Sequence, residues 1–112
     1  MINLATIDDL QKIDLRIGTI IDVEAHEKAI KPIYKLKVYL GPELGVRDIA
    51  AGIRDKYSKE DLLNKQVVVV TNLDPKDIAG FTSNGMILAA EDDDNISVLV
   101  LDKKLKAGSR IR

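Results

Sequence analysis

The chain has 112 residues, 46% hydrophobic and 31% charged, a balance that suits one small folded domain and excludes disordered and fibrous classes. Its 17 basic and 18 acidic side chains leave a formal charge of −1, so a nucleic-acid partner could be met only by local clusters of cations. Cysteine is absent and Tyr34, Tyr39, Tyr57 and Phe81 are the only aromatics, which excludes disulfides and thiolate metal sites, predicts an aliphatic core, and fits a reducing, cytoplasmic setting. No apolar run nears the roughly 20 residues of a membrane helix, and the first residues do not read as a secretory signal.

Thr6, followed three residues on by Asp9, has the spacing of a capping box, and Ile7, Leu10 and Ile13 recur at helical spacing; the chain therefore opens with a short helix. The period then changes. Leu15, Ile17, Thr19, Ile21 and Val23 alternate with Arg16, Gly18, Ile20, Asp22 and Glu24, as in a strand with one buried face. Gly18 in mid-strand predicts a bend or a close backbone approach, which a small coiled barrel needs. After a polar connection from residue 26 to 32, Tyr34, Leu36, Val38 and Leu40 face one way, and Lys35, Lys37 and Tyr39 face the other. Two lysines beside a tyrosine on an exposed face can meet phosphates and a base, or can simply solubilise the strand; the residues leave both readings open.

Residues 41–45 carry turn chemistry and residues 46–53 form a third strand. Ser58 with Asp61 makes a second capping box, opening a short helix through Leu62 and Leu63. The fourth strand is 66–71, whose continuous valine run suits a strand covered on both faces, and the fifth is 86–90. Between them lies a segment dense in hydrogen-bonding and backbone-shaping residues: Asn72, Pro75, Gly80, Ser83, Asn84 and Gly85. A polar loop pinned between buried strands is where a rigid scaffold usually carries binding groups. Five strands with a helix between the third and fourth predict an all-β chain with short helices, arranged as an OB-fold barrel. The barrel would span residues 14–90, with extensions at 1–13 and 91–112. Residues 91–94 read as a solvated acidic turn, and 96–101 as a later strand.

No catalytic constellation is present. His26 is the only histidine and stands between Glu24 and Glu27, which predicts a surface residue rather than a ligand or a general base. The glycines at 80 and 85 lack the spacing and the lysine of a phosphate-binding loop. Asp92, Asp93, Asp94 and Asn95 are too contiguous for a calcium loop of the EF-hand type. Neither a cofactor nor a metal is expected. Local basic clusters occur at Lys28, Lys31, Lys35 and Lys37, and again at Lys103, Lys104, Lys106, Arg110 and Arg112.

Four segments, in order along the chain, carry a family resemblance. Asn72-Leu73, Pro75-Lys76 and the run from Gly80 to Met86 are similar to a pattern Asn-Leu-x-Pro-Lys/Arg followed by Gly-x-x-Ser-x-Gly-Met. Asp14-Leu15-Arg16-Ile17-Gly18 is similar to the pattern's opening, and Ala51-Gly52-Ile53-Arg54 with Tyr57 and Glu60-Asp61-Leu62 to its middle. Gly108-Ser109-Arg110-Ile111-Arg112 resembles its ending. With these the chain resembles the tRNA-binding domains appended to methionyl-tRNA synthetases, stand-alone structure-specific tRNA-binding proteins, and the related CsaA-type export chaperones.

The resemblance implies an OB-fold that grips tRNA by its shape, chiefly at the outer corner. Carried over by position, Asn72 and Ser83 would bond sugar or base edges and Lys76 would meet a phosphate. Met86 would support or contact the RNA, unless it simply packs in the core. Arg54 is the next basic candidate, with Lys35 and Lys37 on the strand face. Two departures stand out: Asp77 replaces a second basic residue, and Ala79 a residue often basic in the synthetase branch. A carboxylate there would weaken attraction for phosphate. The 28–34 and 41–45 segments look more like the CsaA branch, whereas Gly52-Ile53-Arg54 and residues 83–90 look like the synthetase branch. Two functions follow: a tRNA-binding module, alone or in trans with a methionyl-tRNA synthetase, or a homodimeric chaperone that binds extended peptides in an apolar groove. Ile2, Leu4, Ile7, Leu10, Ile96, Val98, Leu99, Val100, Leu101 and Ile111 make the flanks too apolar for open water. They would pack on the barrel's own end or form a two-fold interface; a homodimer is what the resemblance implies.

Overall fold

The computed structural model describes residues 3–112; Ile2, expected among the apolar flanking residues, lies outside them. Thr6 caps α1 (Ile7–Gln11), its hydroxyl accepting from the Asp9 N–H at 3.1 Å while the Asp9 carboxylate accepts from the Thr6 N–H at 2.9 Å. β1 (Leu15–Ala25), β2 (Tyr34–Tyr39), the single turn α2 (Gly41–Leu44) and β3 (Val46–Ala51) follow. The second predicted box, Ser58 with Asp61, opens α3 (Lys59–Leu62). Then come β4 (Gln66–Val70), β5 (Lys76–Ile78), β6 (Phe81–Ser83), β7 (Met86–Ile87), β8 (Ala89–Glu91) and β9 (Ile96–Val98). Among the described residues no helix is long and apolar enough to cross a membrane.

The order β3-β2-β1-β4-β7 forms one antiparallel sheet, curled into a nearly closed barrel of the expected OB-like kind. β2 alternates as its sequence predicts, with Tyr34, Leu36 and Val38 buried and Lys37 and Tyr39 out. Ile20, Leu36, Val38, Ile49, Val67 and Val69 form the aliphatic centre, and Leu62 of α3 joins them. Each side chain of this size withdrawn from water contributes about 1.5–3 kcal/mol.

β1 departs from simple alternation. A bulge between Ile20 and Asp22 adds one residue to the strand, which shifts the phase of everything before it. Gly18, Ile20 and Val23 therefore face the core, and Ile21, expected inside, is 44% exposed. Gly18 is a close approach: a Cβ there would run into the side chains of Val38 and Leu40.

The first half of β1 pairs with β4 along one edge, and the C-terminal segment takes the other. Ile17 N–H donates to the Ser109 carbonyl at 2.9 Å, Gly108 N–H to that of Ile17 at 2.7 Å, and Ile111 N–H to that of Leu15 at 2.9 Å. That crossing needs two glycines at φ +89°. A Cβ on Gly108 would sit 2.5 Å from the Leu40 carbonyl oxygen, and one on Gly41 2.6 Å from that of Ala107. The C-terminal flank is thus packed on its own barrel. α1 is not: it buries no residue, and Ile7 is 66% and Leu10 54% exposed.

Two other expectations need correction. The predicted fifth strand changes partner at Leu88: β7 pairs with β4, whereas β8 pairs with β9. The 72–85 loop also contains a β5–β6 hairpin, turning on Ala79 at φ +50° and Gly80 at φ +86°. Two successive positive φ values are the turn that matches strand twist. Alanine in the first of them hides the signal that Asn-Gly would give.

Asp14 ties four segments together. The Thr71 hydroxyl donates to its carboxylate, Arg16 Nε donates at 3.0 Å, and Arg110 Nε lies 3.9 Å away. Its backbone N–H donates to Asn72 Oδ1 at 2.8 Å. The Thr71 hydroxyl, with Arg16 next, holds this carboxyl below the ordinary value of 3.8. A depressed folded pKa adds stability that is present above the unfolded value and is lost as pH falls through the folded one. Asp14→Asn should therefore cost about 1–2 kcal/mol at pH 7 in urea unfolding, with the gap to wild type narrowing below about pH 4. Gly108→Ala should lower the unfolding free energy by about 2 kcal/mol or more, since added bulk meets backbone and the conformation is strained as well; thermal or urea unfolding measures it.

Candidate nucleic-acid interface

The open face of β1-β2-β3 carries Lys35 and Lys37 between rows of acids. Register sets Glu24 opposite Lys35, and Asp22 and Asp48 on either side of Lys37. Lys37 Nζ reaches Asp48 Oδ1 at 3.0 Å and Lys35 Nζ reaches Glu24 Oε2 at 3.8 Å. The bond from Asp48, with its charge, pushes the Lys37 pKa up. The field of both lysines is largely cancelled by these acidic neighbours. Exposed pairs of this kind contribute little and are readily screened, so a phosphate can compete for either lysine.

The hairpin closes the free edge of β3. Ser83, on its last strand, accepts from the Ala50 N–H at 2.9 Å and donates to the Gly85 carbonyl at 3.1 Å, and Asn84 N–H donates to the Asp48 carbonyl at 2.7 Å. Ser83 is therefore buried. Asn72 is engaged in the same way: besides accepting from Asp14, its Nδ2 donates to the Lys12 carbonyl at 2.7 Å. These two residues anchor the two ends of the segment that bears the hairpin.

Lys76 starts the hairpin opposite Ser83, exposed and in no ion pair among the described residues. Strand alternation turns the next residue, Asp77, to the opposite face. Its carboxylate accepts from the Gly80 N–H at 3.4 Å across the turn, so it shapes the hairpin rather than shadowing Lys76. Met86 is 51% exposed on β7, which removes the core-packing alternative. It borders an apolar cleft with Ala50, Ile53, Ile87 and Ala89. Arg54 lies in the loop after β3, its Nη2 3.6 Å from Glu27 Oε1.

These groups do not converge on one pocket. The structure joins Lys76 with Ser83 on the hairpin, and the hairpin with Lys35 through Phe81, whose ring centre is 6.0 Å from Lys35 Nζ. Asn72 belongs to the opposite end, beside Asp14.

His26 is the clearest reversal. Expected on the surface, it is 4% exposed, with Nε2 at 2.7 Å from the Ile78 carbonyl. It bolts the hairpin to the end of β1. Neither this role nor that of Phe81 is visible in the polar neighbours that surround them in sequence; a lone phenylalanine in a polar loop was the one available signal.

A second surface lies at the other end of the barrel. Ile7, Leu10, Ile13, Leu15 and Ile111 line an open groove of about 850 Å³, rimmed by Arg110 and Arg112.

Residues 15–110 match the model of the putative tRNA binding domain family. The chain is 50% identical over 105 residues to a methionine–tRNA ligase of Thermococcus onnurineus; the match covers 94% of this chain but only 14% of that ligase. Among solved structures, the CsaA chaperone protein of Picrophilus torridus has a TM-score of 0.92 at 38% identity, covering 97% of this chain and all of that one. A MetRS-related protein of Pyrococcus horikoshii has a TM-score of 0.89 at 28% identity, covering 99% of this chain and all of that one. The chain belongs to the putative tRNA-binding domain family.

Proposed function

We propose that the chain is a non-catalytic, structure-specific tRNA-binding module of the cytoplasm, working alone or in trans beside a methionyl-tRNA synthetase. The observation that carries this reading is the anchored hairpin, which holds the unpaired Lys76 out from a rigid barrel. Folded RNA offers phosphates, 2′-hydroxyls and a few unstacked bases to such a surface. In this reading Lys76 meets a phosphate, Arg54, Met86, Lys35 and Lys37 border the RNA, and Asn72 and Ser83 act by holding the loop in shape. The match to methionine–tRNA ligases over most of the chain supports it.

The net charge of −1 gives a single copy little overall attraction for RNA, and a dimer would double the basic surface offered to one tRNA. The groove formed by α1 and the C-terminal segment is the proposed interface, since Ile7 and Leu10 stay more than half exposed among the described residues. A two-fold arrangement is the commonest among homo-oligomers. Sedimentation equilibrium at micromolar concentration should then give twice the 12.4 kDa chain mass, and Leu10→Asp should halve it.

The similarity to CsaA chaperones favours one other reading, a homodimer that binds extended peptides along the apolar cleft beside Met86. Titrating labelled tRNA at several salt concentrations, with an unfolded peptide as competitor, separates the two. The module binds tRNA with log affinity falling against log salt. Lys76→Ala should weaken that binding and reduce the slope by about one; an unchanged slope removes Lys76 from the interface. Saturable peptide binding without tRNA binding would establish the chaperone reading instead.

A further inference from the structure

We infer that Phe81 is the stacking platform for one unpaired nucleobase, entered from the side of His26 and Lys28; the inference rests on the RNA-binding reading of the hairpin. Phe81 is the only phenylalanine in the chain and sits at the hairpin turn, paired with Ile78, mostly buried but with part of its ring left open to solvent. Its ring is braced on one side. The buried His26 ring packs against it at 5.9 Å between centroids and 55° between planes, and the same histidine bonds the Ile78 carbonyl. A fixed aromatic face costs little ordering on binding, and every base has a flat face to lay on it.

Two small clefts meet at this ring, and charge distinguishes them. On the sheet side, Phe81 is bordered by Asp22, Glu24 and Asp48 against Lys35 and Lys37, a cleft of about 170 Å³ with an acidic excess. On the other side it is bordered by His26, Gly80, Lys28 and Lys35 against Glu27 alone, about 250 Å³ with a basic excess. A nucleotide brings its phosphate within one sugar of its base, so the second cleft accepts it and the first repels it. That volume is below the range of drug-sized ligand sites, which suits one base rather than a run of stacked nucleotides. Lys35 borders both clefts, so it can leave the 3.8 Å Glu24 pair for the phosphate without moving away from the ring.

The test uses the full chain with Phe81→Leu and Phe81→Trp. Leucine keeps the bulk against His26 but has no aromatic face. It should weaken tRNA binding about tenfold, with the salt slope unchanged because no phosphate contact is lost. Tryptophan keeps the platform and, in a chain with no other tryptophan, reports directly: its emission should be quenched by tRNA and by a short single-stranded RNA oligonucleotide. Phe81→Leu binding within about twofold of wild type would overturn the platform while leaving the tRNA module standing. Quenching of Phe81→Trp by the oligonucleotide in a protein that does not bind tRNA would support the platform and overturn the module. Quenching by an unfolded peptide but by neither RNA would overturn both.

Discussion

The Asp14 carboxylate is the junction on which the barrel's ends depend. It lies where α1 gives way to β1, and it receives hydrogen bonds from the far end of β4 through Thr71 and from β1 itself through Arg16. Arg16 in turn donates to the Gly108 carbonyl at 3.3 Å, and Arg47 of β3 donates to the Thr71 carbonyl. This partly buried anion therefore joins the N-terminal turn, β1 and the end of β4, while Arg16 and Arg47 extend the network to the returning C-terminal segment and to β3. Charge-assisted bonds are roughly twice as strong as neutral ones, and removing a single partner leaves the others unsatisfied. Asn72 completes the arrangement from outside by accepting the Asp14 N–H and reaching back to Lys12.

The same economy of polar groups governs the hairpin. Ser83, Asn84 and His26 connect it to β3 and β1, so a segment with few apolar contacts keeps a defined position. The hairpin can then hold Phe81, beside its turn, and Lys76, at its base, at fixed points. This differs from a flexible loop that must be ordered by its ligand, at a cost in affinity.

Electrostatics on this chain is local. A net charge of −1 and a ladder of paired lysines and acids on the open face give little long-range attraction for RNA. Affinity in the proposed reading would come instead from local cations such as Lys76, one aromatic face, and duplication of both by a second copy. The apolar groove under α1 belongs to that picture as the proposed interface, its isoleucine and leucine exposed at helical spacing.

Much of the architecture was legible in the residues. Both capping boxes, the alternation of β2, the buried valine run of β4 and the glycine punctuation depend on local chemistry, and local chemistry is what a sequence states directly. The family motifs identified the hairpin segment before its geometry was known. Three features were decided only by tertiary structure. The β1 bulge reversed the faces of Ile20 and Ile21, because two successive isoleucines suit either face and the inserted residue has no signature of its own. His26, between two glutamates, was drawn into the interior by a carbonyl 52 residues away. Asn72 and Ser83 became anchors because their partners, Asp14, Lys12 and Ala50, are distant in sequence. A hydrogen-bonding residue declares its capacity in the sequence; which atoms satisfy it is settled by the chain segments that the fold brings alongside.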